Sequence, residues 1–199
     1  LAFISSGMYF KAWNYDSVDA VVRSFYTITP SLAMFFLSKL ISFNKQACNL
    51  IGLDYAECET KDFVDFINGS LTLKGSVPYS MVYAGHQFGY FVPQLGDGRA
   101  INLGSVNGWH LQTKGSGLTR YSRSGDGRAV LRSSIREYLM SEAMHALGIP
   151  TTRALAIIDS DTFAHRDWEE ESCSIVMRMS PSWIRVGTFE FFARTKNKQ

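Results

Sequence analysis

The sequence predicts an α+β fold in which an antiparallel sheet carries one long helix and is preceded by a helical N-terminal segment. Three observations lead there. Short apolar runs alternate with glycine turn signals from Met81 to Lys114. A helical pattern closed by Gly148 and Pro150 follows from Ser133 to Leu147, and a proline-headed apolar stretch lies within the first 52 residues.

Composition sets the limits. The 199 residues carry 20 Lys and Arg against 18 Asp and Glu, a formal charge of +2, and 46% are hydrophobic, enough for one good core. A charged fraction of 19% excludes a disordered chain and a strongly basic nucleic-acid binder, so no nucleic-acid partner is expected. Cys48, Cys58 and Cys173 have neither zinc-ribbon spacing nor a disulfide framework. Reduced thiols in a cell interior are the default: the cytoplasm in a bacterium, with the mitochondrion the alternative in a eukaryote. The longest apolar run, Leu32 to Ile41, contains Lys39 and is about half the ~20 residues of a spanning helix, so it reads as a buried helix and no membrane partner is expected. The start, LAFISSGMYF, has no basic n-region and is not a signal peptide; it also has no initiator Met, which leaves room for residues before Leu1.

Taken in order, a helix is expected from Thr29-Pro30 to a stop at Gly52, with apolar positions at Leu32, Phe35, Phe36, Leu40 and Ile41. A shorter one runs from Thr60 through Phe63, Val64 and Ile67 to Asn68-Gly69, and a loop extends to about Pro78. Residues 1–78 are therefore assigned to a helical extension and 79–199 to a second unit. In that unit the runs YFVPQL, AINL and WHLQTK are separated by Asp97-Gly98 and Asn107-Gly108, both hairpin-type dipeptides, which predicts three successive antiparallel strands with Gly98 at positive φ. A second glycine loop, Gly115 to Gly127, leads into the Ser133–Leu147 helix. Ala154–Ile158 and Cys173–Met179 then read as strands around an acidic loop at Asp167 to Glu171. Gly-Asp-Gly-Arg-Ala occurs at Gly96–Ala100 and at Gly125–Ala129, but the flanks differ, which argues for two separate loops and not an internal repeat.

The residues that carry chemistry are the Gly96–Gly98 turn, Lys114 on a following strand and Glu137 on the next helix, in the order and spacing of a protein-kinase N-lobe. There, backbone amides approach phosphates where no Cβ intervenes, the lysine holds phosphate oxygens and the carboxylate fixes the lysine. Each part alone has an ordinary explanation as a turn, a solvated lysine or an exposed glutamate. Strand alternation puts Lys114 with His110 and Gln112 on a polar face. On the helix, Leu131, Ile135, Leu139, Ala146 and Leu147 form an apolar stripe, and Glu137 lies off it, toward either solvent or the cleft. Arg120, Arg123, Arg128, Arg132 and Arg136 cluster around the second loop and suit an anion, the alternative being a basic surface paired with Asp126, Glu137 and Glu142. His165-Arg166-Asp167 spells a kinase catalytic-loop triplet, yet Ser172 stands where the metal-binding Asn is required and the triplet follows Glu137 too closely, so no catalytic residue is assigned. His86 and His145 have no metal-ligand spacing.

The strings YAGHQFGYFVPQLGDGRAINLG (Tyr83 to Gly104) and KGSGLTRYSRSGDGRAVLRSSIREYLMSEAMHALGIPTTRAL (Lys114 to Leu155), with IVMRMSPSWIRVGTFE (Ile175 to Glu190), closely resemble the selenoprotein O, or YdiU-like, family of pseudokinase protein adenylyltransferases. The resemblance implies a kinase-like fold that binds ATP in reverse orientation and transfers AMP to Ser, Thr or Tyr hydroxyls of protein substrates. By motif it implies nucleotide contacts at Gly96, Gly98, Arg99, Lys114, Asp126, Gly127, Arg178 and Arg185, with Glu137 as the partner of Lys114. Ser105 and Arg120 depart from the family pattern without touching these positions. Mg or Mn is expected for the full-length family, held together with the general base by a C-lobe that these residues do not include. The chain thus resembles the N-lobe portion of an adenylyltransferase; the alternative is a catalytically inactive nucleotide- or anion-binding fragment or a truncated gene product.

Overall fold

The computed structural model describes residues 37–195, together with two short strands at Trp13–Asn14 (β1) and Thr27–Ile28 (β2). The fold is α+β, as expected. Nine described strands form one antiparallel sheet in the order β2-β4-β7-β8-β11-β10-β3, where β3 is Leu40–Phe43, β4 Tyr79–Ser80, β7 Ala100–Val106, β8 Trp109–Lys114, β10 Arg153–Arg166 and β11 Glu169–Ser180. β1 adds to β7, and β9 (Ala129–Val130) to β11. Gly85–Gln87 (β5) and Tyr90–Val92 (β6) pair separately.

The helix expected from Thr29 to Gly52 is corrected. Residues 29–36 lie outside the described ones, and Leu40–Phe43 is an edge strand paired with β10. The helix α1, Lys45–Ile51, begins only after Asn44, whose side chain accepts from the amides of Gln46 (3.0 Å) and Ala47 (3.3 Å). Its stop at Gly52 is where the sequence put it, with φ +69. The N-terminal segment is thus not helical throughout, because Leu40 to Phe43 find backbone partners on the sheet edge that no local pattern reveals. α2, Tyr55–Cys58, was not anticipated; α3, Lys61–Asn68, runs between the expected Thr60 cap and Gly69.

One face of the sheet is apolar and is covered by these three helices. Phe63, Phe66, Ile67, Ile51 and Cys48 pack against Ile101, Leu103, Leu111, Ile175, Met177 and Met179, all buried. Burying such side chains stabilises by about 1.5–3 kcal/mol each. The opposite face is polar along the same strands. Tyr79 O accepts from Asn102 Nδ2 (3.3 Å), Asn102 Oδ1 accepts from Gln112 Nε2 (3.0 Å), and Gln112 Oε1 accepts from Arg178. The alternation read from β8 is therefore real, with Leu111 and Thr113 on one side and Gln112 and Lys114 on the other.

The long helix α4, Leu131–Ala146, sits beside β10 and β11 on the polar side and ends as expected, with Gly148 at φ +74. Its rotation corrects the expected stripe. Ile135, Leu139 and Leu147 are 41%, 60% and 74% exposed, while Ser134 is buried and Glu142 faces the sheet to bind Arg153 and the Ala154 amide. The carboxylates Glu137 and Glu142 find cations on the sheet, and pairing them turns the polar face inward.

Two loops also differ from expectation. Of the two dipeptides expected to turn hairpins, Asn107-Gly108 does so, both residues having positive φ (49° and 79°) between β7 and β8. Asp97-Gly98 does not, and Gly98 has no left-handed φ. The acidic loop from Asp167 to Glu171 is a two-residue turn at Asp167-Trp168 (φ 48° and 78°), with Glu169–Glu171 already in β11. Asp-Trp is an unusual occupant of such a turn, which explains why the long β10–β11 hairpin was not visible. A last helix, α5 (Val186–Arg194), was also unforeseen.

Candidate functional site

A cavity of about 440 Å³ opens where the two Gly-Asp-Gly-Arg-Ala loops face each other over the polar side of β8 and β11. Seven cationic side chains line it, Arg99, Lys114, Arg123, Arg128, Arg166, Arg178 and Arg185, against two carboxylates, Asp97 and Asp126. The nucleotide contacts that the family motifs imply converge here. Gly96, Gly98, Arg99, Lys114, Asp126, Gly127, Arg178 and Arg185 line the cavity, and Glu137 stands behind it.

Lys114, at the end of β8, binds Glu137 of α4, and Glu137 Oε1 also accepts from Arg178 Nη1 at 3.0 Å. One carboxylate is shared by two cations. Despite burial, which acts to raise it, Arg178 and Lys114 hold the Glu137 carboxyl below its ordinary range. Burial lowers Lys114, and Arg178 and Arg99 add to that against the opposing effect of Glu137. With one carboxylate serving two cations, the group of Lys114, Arg178 and Glu137 carries net positive charge. The Arg178 Nε is buried without a hydrogen-bond partner, and its guanidinium lies 4.8 Å from the Trp183 ring centroid.

Arg185 enters just before α5. Its Nη2 lies 3.2 Å from Asp97 Oδ1, and its guanidinium stacks 4.7 Å from the Tyr83 ring centroid. Asp97 is 4% exposed; burial raises its pKa, partly offset by Arg185 and by the Met81 amide that donates to Oδ2 (3.2 Å). Asp126 is instead gripped by Arg166 at 2.7 and 2.9 Å, and this pairing holds its carboxyl below the usual range. Asp126 thus presents an ion pair to the cavity, not a bare carboxylate.

Sequence reasoning missed Asp97, Tyr83 and Arg166. Asp97 looked like a turn residue, and Arg166 sat in a triplet weighed only as a catalytic loop; its pairing with Asp126 spans 40 residues and leaves no local signal. Within the arginine cluster, Arg123 and Arg128 reach this cavity, Arg132 pairs with Glu171 on β11, and Arg120 and Arg136 are not among its lining residues. With seven cations and four glycines among its lining residues, the cavity can hold a polyanion.

A profile of the family described as "Protein adenylyltransferase SelO" matches residues 11–199. The chain belongs to this family. Among its relatives, the "Protein nucleotidyltransferase YdiU" of Thioalkalivibrio sulfidiphilus is 56% identical over 158 residues, covering 77% of this chain and 32% of that protein. The protein of the same description from Bordetella avium is 54% identical over 163 residues (80% and 33%), and that from Myxococcus xanthus 51% over 167 (81% and 34%). The chain therefore spans about one third of the length of these curated family members. No helix among the described residues is long and apolar enough to cross a membrane.

Proposed function

We propose that this chain is the ATP-binding portion of a protein adenylyltransferase, a kinase-like N-lobe over residues 79–199 behind an N-terminal extension over 1–78, serving AMP transfer to Ser, Thr or Tyr hydroxyls of protein substrates. The observation that carries the reading is the pair Lys114 and Arg178 sharing Glu137 at the back of a seven-cation cavity, an array short of negative charge by about what a triphosphate supplies. Arg185 and Arg99 serve the outer phosphates, and the loops of Gly96, Gly98 and Gly127 admit them at backbone distance. Asp126 acts through Arg166, which it holds at the cavity edge. Three buried free thiols suit a reducing compartment, and with the bacterial origin of the relatives quoted, the cytoplasm is the location proposed.

Magnesium or manganese would neutralise phosphate charge in such a reaction. The described residues do not fit a metal cage: no three His, Cys, Asp or Glu side chains converge, and Asp97, Asp126 and Glu137 are each held by a cation. The part of this chain's residues is to bind and orient phosphate.

Calorimetric titration with ATP tests the reading. Lys114→Ala should cost about 1.5–3 kcal/mol, or roughly 10- to 150-fold in affinity, as loss of a charge-assisted contact. Equal affinity in the wild type and this variant would remove Lys114 from the site and the proposal with it.

A further inference from the structure

A second cavity, of about 280 Å³, lies on the other side of the Lys114–Glu137 pair, between the start of β7 and the first turns of α4. Arg99, Lys114, Ser133, Ser134, Arg136 and Glu137 are among its walls. Three features point to one kind of ligand. α4 is a 16-residue helix whose N-terminus has no side-chain cap and no acidic residue in its first turn, so its leading amides and the positive end of its dipole are uncompensated. Ser134, in that turn, is 2% exposed, and its Oγ is buried with no hydrogen-bond partner. Such a hydroxyl ordinarily costs stability unless something else completes it. Finally, Arg99 and Arg136 take part in no ion pair among the described residues, and Glu137, the one carboxylate in the wall, is turned to Lys114 and Arg178.

We propose that this cavity is a second oxyanion site that takes a phosphate group, distinct from the nucleotide cavity and sharing only the wall of Arg99 and Lys114 with it. The α4 amides and the Ser134 hydroxyl supply donors, and Arg99 and Arg136 supply charge. A phosphate reaches it either free from solution or as the pyrophosphate released on AMP transfer; the second source rests on the function proposed above, the site itself does not.

The test is a ³¹P NMR titration of the 199-residue chain with inorganic phosphate and, separately, pyrophosphate, alongside ATP titration of the same proteins. Arg136→Gln, at an exposed position, should weaken phosphate binding roughly 5-fold and leave ATP affinity within about twofold, since Arg136 does not line the nucleotide cavity. Ser134→Ala should weaken phosphate binding to a similar degree, with Arg136→Gln standing as the control that does not touch the interior. Phosphate binding that is absent, or that both variants leave unchanged, overturns the site. Binding lost in Lys114→Ala but unaltered by Arg136→Gln also overturns it, by placing the phosphate in the nucleotide cavity. If ATP fails to bind while phosphate still responds to Arg136, the nucleotide reading falls and this site stands. Pyrophosphate binding more tightly than phosphate through Arg136 assigns the leaving group; equal binding assigns free phosphate.

Discussion

The loops at Gly96–Ala100 and Gly125–Ala129 share five residues, Gly-Asp-Gly-Arg-Ala, and line one cavity from opposite sides. Their aspartates nevertheless behave in opposite ways. Asp97 is buried beneath Arg185, and desolvation raises its pKa; the Asp126 side chain is 40% exposed, and Arg166 lowers it. The glycines differ too. Gly127 has φ +72, and a Cβ there would lie 2.2 Å from the backbone of Gly117, to which Gly127 O is also hydrogen-bonded. Gly98 has no left-handed φ, and a Cβ would meet Tyr121 O at 2.8 Å. A short string sets what a backbone can do, and the neighbours that the fold brings against it decide what it must do.

The largest effect expected from this contrast is at Gly127. Gly127→Val combines a backbone collision with a forbidden φ and should cost more than about 4 kcal/mol, enough to leave a marginal domain unfolded. Gly98→Ala should cost about 1–3 kcal/mol, because the Tyr121 carbonyl oxygen that a Cβ would meet at 2.8 Å has to give way while no φ penalty applies. Urea midpoints measure both, and equal losses would show that the two glycine loops are equivalent after all. The contact with Tyr121, not a hairpin turn, is what makes position 98 a glycine.

The aspartates come next. Asp97→Asn leaves one oxygen to accept from both the Met81 amide and Arg185 in a buried site, and the donor left unsatisfied should destabilise by about 1–3 kcal/mol. Asp126→Asn, at the partly exposed pair, should cost less than about 1 kcal/mol. A double-mutant cycle of each with its arginine sharpens the comparison; a larger coupling for Asp126 with Arg166 than for Asp97 with Arg185 would reverse it.

The smallest effect is in pH dependence, and its sign distinguishes the copies. Asp126, like Glu137 and Glu142, has a folded-state pKa below its ordinary value, so each contributes stability above that value that is lost as pH falls through the folded one. The ordinary values are 3.8 for Asp126 and 4.5 for the two glutamates, which puts the loss below about pH 4.5. Asp97 runs the other way, because its raised pKa lets the folded chain take up a proton before the unfolded chain does. Asp126→Asn should therefore flatten the acid loss of stability seen in urea titrations at successive pH values, and Asp97→Asn should steepen it; the same change in both variants would contradict the assignment of environments.

Much was legible locally because its cause is local. Asn107-Gly108 turns a hairpin by its own φ preferences, Thr60 starts α3 through a bond to the Phe63 amide and Gly69 ends it with φ +87, and the alternation of β8 puts Lys114 on the polar face whatever the sheet does. The glycine loops, Lys114 and Glu137 were nameable for the same reason, as residue types whose order along the chain suits phosphate, whereas Arg178 and Arg185 were named only through the motifs of the family that the chain resembles. Tertiary structure decided the rest. Leu40 to Phe43 became a strand because β10 offered an edge, α4 turned its apolar stripe outward because Glu137 and Glu142 had cations to meet, and Asp97 became a buried charge while its twin Asp126 did not. Each of these depends on a partner tens of residues away, and pairing energies of that kind depend on distance in space, which no window on the sequence contains.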